Sequence, residues 1–317
     1  MGRLVDGVWN GETEQTRIGE RGEFVRGVTS FRDRVSSRAD AEFAAEQGRY
    51  HLWVAHNCPW AHRTVIARNL KKLQGTIGMS IANTLRNDDG WWFAEGLDDH
   101  QPVDGQLALH RLYSAASGAY TGSATVPVLW DRVGKTIVSN ESAEIIEMLN
   151  SEFNAFGDAS VDLYPEALRG VIDAVNDRVY ATVNNGVYKC GFARTQEAYD
   201  AAVVPLFETL DELERQLART RFLVGDQITT ADVRLFTTLV RFDAVYFGHF
   251  KCNLRRIVDY PNLWAYTRDL YQTPGIGETV KIDIYKQGYY GRSPGINPRG
   301  IIPYGPSLDF EAPHGRG

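Results

Sequence analysis

The spacing of apolar residues predicts two different architectures along the chain. Residues 50–55 read as a strand, apolar positions in residues 61–73 recur near one another at helical spacing, and residues 77–82 read as a second strand. Residues 83–122, rich in Gly, Asp and aromatic residues, are predicted to be mostly loop, and a loop of that length is usually functional. The pattern from about 49 to 153 is therefore strand, helix, strand, long loop, hairpin and helix.

The hairpin completes this first domain. Residues 125–131 and 135–139 read as an antiparallel pair, and residues 144–153 follow as a helix with an apolar face. This is the order of a thioredoxin-like fold, in which the bond before the proline that opens the third strand is commonly cis. We therefore predict a cis bond between Val126 and Pro127.

From about residue 160 onward the pattern is helical. Leucines at 206, 210, 213 and 217 form a stripe at three- and four-residue spacing, which indicates core packing. Thr229 and Asp232 have the spacing of a capping box, which predicts that a buried helix begins there. Leading and trailing segments rich in Gly and polar residues are predicted to be extensions.

The predicted domain organisation has four parts. Residues 1–48 are an N-terminal extension laid over the surface, with Phe24, Val25, Val28 and Phe31 as its apolar anchors. The other three parts are a thioredoxin-like domain at 49–155, a helical domain at 160–280, and a C-terminal extension at 281–317 that closes on the active site.

Composition narrows the class of protein. The 317 residues are 43% hydrophobic and 23% charged, which is ordinary for a globular chain, and the net charge of −6 argues against a nucleic-acid surface. No apolar run is long enough for a membrane helix, and the first residues lack the apolar core of a signal peptide. Three cysteines without framework spacing favour a reducing cytoplasm. The seven histidines show no metal-ligand spacing, so no metal site is predicted.

Cys58 is the strongest candidate for chemistry. It opens Cys58-Pro59-Trp60-Ala61 directly after the first predicted strand, at a helix N-terminus whose backbone N–H groups and dipole favour a thiolate. Pro59 suits the first helical turn. Because position 61 is alanine where a dithiol motif has its second cysteine, a mixed disulfide on Cys58 needs a thiol from outside, which points to glutathione.

Motifs in both predicted domains and in the tail resemble the Xi-class glutathione transferases, the glutathionyl-hydroquinone reductases. They are Cys58-Pro59-Trp60-Ala61-His62-Arg63, Gly90-Trp91, residues 125–131, residues 139–146, Gly186-Val187-Tyr188 with Gly191-Phe192-Ala193, Val245-Tyr246 with residues 248–253, and Tyr289-Tyr290 with Ile296-Asn297-Pro298.

The resemblance implies a reaction. Cys58 matches the nucleophile, which takes glutathione from a glutathionyl-hydroquinone as a mixed disulfide, and a second glutathione releases oxidised glutathione. Tyr188 matches the proton donor to the ring, and Tyr246 and Tyr289 match tyrosines that line the pocket and assist the thiolate. The matching glutathione contacts are Trp91, Thr125, Val126, Pro127, Glu141 and Ser142. Relatives are homodimers, which is an expectation here as well.

The physical character of three of these residues agrees with the assignments. The backbone of Val126 can pair with glutathione like an added strand. Ser142 at a helix start suits the γ-glutamyl carboxylate, and Glu141 offers a charge for its ammonium group.

Other interpretations stay open at this point. The same site could act on another aromatic substrate by dehalogenation, ether cleavage or dehydroascorbate-type thiol transfer, or the chain could bind glutathione without catalysis. Three departures from the family pattern bear on specificity: His56-Asn57 before the nucleophile, Ser123, and Gly288.

Overall fold

The computed structural model describes residues 2–11, 17–96, 107–291 and 293–317, which fall into two units. The first consists of Met1–Gln15 and Gly27–Val161, and the second of Thr16–Arg26 and Asp162–Gly317. The predicted N-terminal extension thus contributes to both units, which its composition did not indicate. The predicted domain boundaries stay predictions.

Strands and helices are numbered in chain order. The strands are β1 (Arg3–Val5), β2 (Val8–Asn10), β3 (Arg17–Ile18), β4 (Phe24–Val25), β5 (Tyr50–Val54), β6 (Gly78–Ile81), β7 (Trp92–Phe93), β8 (Leu107–Ala108), β9 (Val128–Asp131) and β10 (Thr136–Ser139). The α-helices are α1 (Pro59–Leu70), α2 (His110–Ala116), α3 (Ser142–Ser151), α4 (Arg169–Val179), α5 (Gly186–Phe192), α6 (Gln196–Leu217), α7 (Thr230–Arg241), α8 (Phe247–His249), α9 (Pro261–Gln272) and α10 (Ile282–Tyr290).

A four-stranded sheet in the order β10-β9-β5-β6 forms the centre of the first unit. β5 runs parallel to β6 and antiparallel to β9, and β9 forms the predicted hairpin with β10. Every residue of β5 is buried, as expected of a central strand covered on both faces. With α1 and α3 packed together, this is the predicted thioredoxin-like topology.

Several boundaries in this unit differ from prediction. β9 begins at Val128 and not at residue 125, and α3 spans Ser142–Ser151 and not residues 144–153. Helix α1 ends at Leu70 instead of residue 73, because the backbone turns after Lys71 and Lys72 takes a φ of +53°. Helix α2 lies inside the segment predicted to be mostly loop, of which residues 97–106 are outside the described part. Its seven residues carry too short an apolar pattern to separate a helix from a loop.

The apolar anchors of the N-terminal segment were predicted only in part. Val28 is 87% exposed and Val25 is 44% exposed, so neither anchors the chain. Leu4, Val35 and Phe43 are buried in their place. The short strands of this segment have no long apolar alternation, so the sequence pattern did not separate buried from exposed positions.

The second unit is helical, as predicted. The leucine stripe of α6 is buried along its length, which confirms its role in the core. Two π-helical segments, Tyr180–Asn184 and Phe242–Tyr246, follow α4 and α7. The segment predicted as a C-terminal extension begins with α10. Of the described residues, no helix has both the length and the apolar character needed to cross a bilayer.

The predicted capping box opens α7. Asp232 is fully buried and accepts hydrogen bonds from the backbone N–H groups of Leu223 (3.0 Å) and Thr229 (2.8 Å) and from the hydroxyl of Tyr266 (2.8 Å). One carboxylate therefore fixes the start of α7, the preceding loop and α9.

Replacing Asp232 with alanine should lower the free energy of unfolding by about 3 kcal/mol, because buried donors lose their acceptor. Urea denaturation followed by circular dichroism measures this. The control is Asp226→Ala, which removes an exposed aspartate of the same loop and should change the midpoint little. Equal, small effects of both variants would contradict the structural role of Asp232.

Candidate active site

Cys58 lies at the junction of β5 and α1. Its backbone is extended, its carbonyl accepts the first bond of the helix from His62 at 3.0 Å, and Pro59 occupies the first helical position. The thiol is half-buried. This confirms the predicted place of Cys58 at the positive end of a helix, which favours negative charge on sulfur.

Val126 lies beside that sulfur. The Cys58 thiol donates to the Val126 carbonyl oxygen with a 3.5 Å separation, and the bond between Val126 and Pro127 is cis, as predicted. Among the described residues, the N–H of Val126 finds no hydrogen-bond acceptor. The residue thus offers an N–H and a C=O next to the thiol, which is what an added peptide strand requires.

Tyr113 holds this segment in place. Its buried hydroxyl donates to the Thr125 carbonyl oxygen (2.7 Å) and accepts from the Thr125 N–H (3.2 Å) and from the Asn140 side-chain amide (3.0 Å). Burial raises the pKa of Tyr113 to about 12, so the hydroxyl stays protonated and keeps its donor. Both backbone groups of Thr125 are satisfied by one side chain from α2, a helix that the sequence pattern did not reveal.

The N-terminus of α3 forms the next part of the site. Glu141 is its N-cap: the carboxylate accepts from the Ala143 N–H (3.1 Å) and from the Thr29 hydroxyl (3.1 Å). Ser142 is the first helical residue, as predicted, and Arg63 of α1 donates to its hydroxyl at 3.4 Å. Arg63 is only 1% exposed and stacks on Trp60 at 4.4 Å. A helix N-terminus and a buried guanidinium both favour an anion such as a carboxylate.

Trp91 lies at the start of the short β7–β8 ribbon. It is mostly buried, the Arg86 guanidinium lies 4.4 Å from its ring centroid, and its carbonyl accepts from the Leu109 N–H at 2.8 Å. Its neighbour Trp92 donates to the Leu85 carbonyl oxygen at 3.0 Å. The ribbon and the Arg86 guanidinium together fix the indole of Trp91. The contacts described for Trp91 include neither Cys58 nor Val126.

The second unit brings three predicted tyrosines together. The hydroxyl of Tyr289 lies 2.6 Å from that of Tyr188 and 3.1 Å from that of Tyr246, so the three phenols form one hydrogen-bonded cluster. Tyr188 comes from α5, Tyr246 ends the second π-helix, and Tyr289 comes from α10. π-Helical turns often occur at functional sites, because the extra residue shifts the side chains that follow.

An apolar layer surrounds this tyrosine cluster. Phe250 lies 5.4 to 5.8 Å from all three tyrosine rings, measured between centroids. A Cβ atom on Gly191 would meet the Phe250 ring at 2.3 Å, so only glycine permits this packing. Burial, with a further contribution from Tyr188, raises the pKa of Tyr246 and of Tyr289 well above the ordinary value, while Arg241 opposes the shift. Both phenols are therefore proton donors at neutral pH.

The structure thus groups the predicted residues in two sets. Cys58 and the segment Thr125 to Pro127 lie together in the first unit, with Glu141 and Ser142 at the start of α3 and Trp91 on its own ribbon. The tyrosine cluster belongs to the second unit. The individual roles of these residues stay predictions.

Three further residues support these sets and were not singled out from the sequence. Arg63 and Tyr113 are described above, and Arg241 of α7 is fully buried with its guanidinium 3.7 Å from the ring centroid of Tyr285. Arg63 stands within the Cys58 motif, which was a usable signal. Tyr113 and Arg241 act through tertiary neighbours distant in the chain, so spacing along the sequence carried no signal for them.

Comparison with known proteins gives the family. The model of the glutathione S-transferase N-terminal domain matches residues 57–152, and that of the C-terminal domain matches residues 196–269. The glutathionyl-hydroquinone reductase YqjG of Escherichia coli (strain K12) is 48% identical over 328 residues, covering 100% of this chain and 98% of the relative. The glutathionyl-hydroquinone reductase PcpF of Sphingobium chlorophenolicum is 49% identical over 309 residues, covering 97% of each.

Solved structures agree. The glutathione-bound structure of YqjG superposes with a TM-score of 0.87 at 46% identity, covering 99% of both chains. A Xi class transferase from Natrialba magadii superposes with a TM-score of 0.89 at 46% identity, covering 100% of this chain and 96% of the other. The chain therefore belongs to the glutathione S-transferase family, within its Xi class.

Proposed function

We propose that this enzyme reduces glutathionyl-hydroquinones with glutathione as co-substrate, giving hydroquinone and oxidised glutathione. The observation that carries the proposal is the Cys58 thiol at the start of α1, beside the open backbone of Val126 and with alanine at position 61. Relatives named for this reaction, nearly half identical over almost the whole chain, support it.

In the first step the Cys58 thiolate attacks the sulfur of the glutathionyl thioether. An S–S bond forms, the bond between sulfur and the ring carbon breaks, and its electron pair stays on the ring. The ring carbon then takes a proton from a phenol, which we assign to Tyr188. In the second step glutathione attacks the mixed disulfide, which frees the Cys58 thiolate and releases oxidised glutathione.

We assign glutathione recognition to the first unit. The Val126 backbone pairs with the cysteinyl residue of glutathione, and the start of α3 at Ser142, with Arg63 beside it, holds the γ-glutamyl carboxylate. Glu141, kept in place by Ala143 and Thr29, attracts the ammonium group. Thr125, Pro127 and Trp91 complete the contacts. The glutathione-bound structure of YqjG supports glutathione as the co-substrate.

We also propose a cytoplasmic homodimer. A reducing compartment suits a reaction that depends on a free thiol pool, and it agrees with the free state of Cys58, Cys190 and Cys252. Size-exclusion chromatography with light scattering measures the mass, for which a dimer of the 35.5 kDa chain is expected.

Replacing Cys58 with alanine should lower glutathionyl-hydroquinone reduction about a thousandfold or more, because the nucleophile is lost. Steady-state release of hydroquinone measures this. In the parent enzyme, mass spectrometry should find one glutathione on Cys58 after incubation with oxidised glutathione. The control is Cys190→Ala, which removes a buried thiol of α5 and should keep most of the activity. Full activity of the Cys58 variant would reject the proposal. If the parent enzyme exchanges thiols but releases no hydroquinone, a thiol transferase is favoured.

Replacing Ser142 with alanine should raise the KM for the glutathionyl-hydroquinone several-fold, because the glutathionyl group of that substrate occupies the proposed glutathione site when Cys58 attacks its sulfur. The hydroxyl lies at the helix start where a carboxylate is favoured, so its loss weakens one charge-assisted contact. Initial rates at varied glutathionyl-hydroquinone concentration test this, with Ser151→Ala at the other end of α3 as the control. A KM equal to that of the parent enzyme would remove Ser142 from the glutathione site.

The pH dependence should reflect the raised pKa of the tyrosine cluster. Since burial holds Tyr246 and Tyr289 protonated beyond the ordinary phenol range, kcat should show no fall from tyrosine ionisation up to about pH 10. A pH profile of the parent enzyme beside Tyr289→Phe checks this. A fall in kcat near pH 8 that is absent from Tyr289→Phe would show that the tyrosine cluster ionises more easily than its burial implies.

A further inference from the structure

The N-terminal hairpin of β3 and β4 is docked onto the part of the second unit that carries Tyr188. The Arg194 N–H donates to the Gly22 carbonyl oxygen at 2.9 Å, and the Thr195 hydroxyl donates to the Arg21 carbonyl oxygen at 2.8 Å. Phe24 packs on Phe192 with 5.3 Å between ring centroids. These contacts tie the hairpin to the end of α5 and the start of α6, so the residue after β4 has a fixed position.

That residue is Arg26. Its guanidinium lies over the ring of Tyr188, 4.7 Å from the centroid, and over the ring of Phe24 at 5.2 Å. Its Nε donates to the side-chain oxygen of Asn185 at 2.7 Å. Asn185 is buried and its backbone carbonyl accepts from the Tyr188 N–H at 3.1 Å, so the same residue orients the guanidinium and the start of the helix that bears Tyr188.

We propose that Arg26 is a positioning residue for Tyr188, stabilising the negative charge left on the Tyr188 oxygen when that phenol gives its proton to the ring. The inference rests on the proposed function. A guanidinium over a neutral phenol gains a cation–π contact, and its attraction grows when the phenol becomes a phenolate. The contact is thus stronger after proton transfer than before it, which is the condition for lowering a barrier.

The proton balance of the step is complete. The electron pair from the broken carbon–sulfur bond forms the new carbon–hydrogen bond with the Tyr188 proton, and the phenolate regains a proton from solvent before the next turnover. Within the described part of the chain, the guanidinium groups of Arg26 and Arg241 face Tyr188, and the phenols of Tyr246 and Tyr289 are its titratable neighbours. Of the two cations, Arg26 is the one whose guanidinium lies over the Tyr188 ring.

A purely structural role for Arg26 makes a different prediction. If Arg26 only anchors the hairpin through Asn185, its loss should weaken every activity of the enzyme to the same degree. If it stabilises the Tyr188 phenolate, its loss should slow the step that protonates the ring and leave thiol–disulfide exchange at Cys58 unchanged, because that exchange transfers no proton to carbon.

The experiment compares these two reactions in the full chain. Arg26→Met should lower hydroquinone release about tenfold, which lies between the values for an exposed and a desolvated cation–π contact, while glutathionylation of Cys58 by oxidised glutathione changes less than twofold. Arg26→Lys keeps the charge and should recover part of the loss. In a Tyr188→Phe background Arg26→Met should have little further effect. Arg21→Met, which removes an exposed charge of the same hairpin, is the matched control.

Each remaining outcome overturns a specific claim. Equal losses in both reactions, or the full tenfold loss persisting beside Tyr188→Phe, reject the inference and leave Arg26 an anchor. If the parent enzyme turns over glutathionyl-hydroquinone and Arg26→Met releases hydroquinone at the same rate, the inference is rejected and the proposed function stands. A parent enzyme that glutathionylates Cys58 but releases no hydroquinone rejects the proposed function, and the inference with it.

Discussion

The chemistry of this chain depends on Cys58, which lies between the buried strand β5 and the N-terminus of helix α1. The last residues of β5 are held on both sides by the sheet, and after three intervening residues the Cys58 N–H donates to the Ala55 carbonyl oxygen at 3.1 Å while Pro59 begins the helix. The sulfur must then share its surroundings with the free N–H groups of the first turn, which favour a thiolate. The roles proposed for the other site residues are to bring a partner thiol to that atom or to protonate the ring released from the broken carbon–sulfur bond.

The backbone beside the sulfur is prepared in the same way. Tyr113 satisfies both backbone groups of Thr125, and a hydroxyl with three partners inside the protein is hard to displace. Val126, the next residue, therefore presents its peptide groups from a fixed position. Preorganisation of this kind reduces the ordering that glutathione binding would otherwise require, so less binding energy is lost on arranging the protein.

Much of the fold could be predicted from the sequence because its signals are local. β5, the β9–β10 hairpin and the capping box at Thr229 each depend on residues within a few positions of one another, and the cis bond at Pro127 followed from fold order. Helix α2 and the assignment of residues 16–26 to the second unit depend on tertiary contacts, which spacing does not encode.

The residues of the candidate site also divide into those with a local sequence signal and those defined by tertiary contacts. Cys58, Val126 and the start of α3 were found through motifs that follow directly from strand and helix ends. The tyrosines were named through family resemblance, since a lone tyrosine carries no pattern, and their common hydrogen-bonded cluster became visible only in the structure. Arg26 and Tyr113 had no sequence signal, because their roles consist of contacts with residues far along the chain.

Buried arginines show why position, and not burial alone, indicates function. Arg68 is nearly as buried as Arg63, yet its guanidinium donates to the carbonyl oxygens of Gln74 and Ile77 and closes a turn. Arg63 lies at a helix N-terminus, and Arg241 lies among phenols. A cation costs desolvation wherever it is buried, and carbonyl oxygens offset that cost permanently. Arg241 also donates to the Thr237 carbonyl oxygen at 2.8 Å, so part of its charge is compensated in the same way. The start of α3 beside Arg63 and the phenols beside Arg241 are nevertheless places where an additional anion is favourable. In the proposed reaction, the carboxylate of glutathione and the phenolate of the ring step would be anions of that kind.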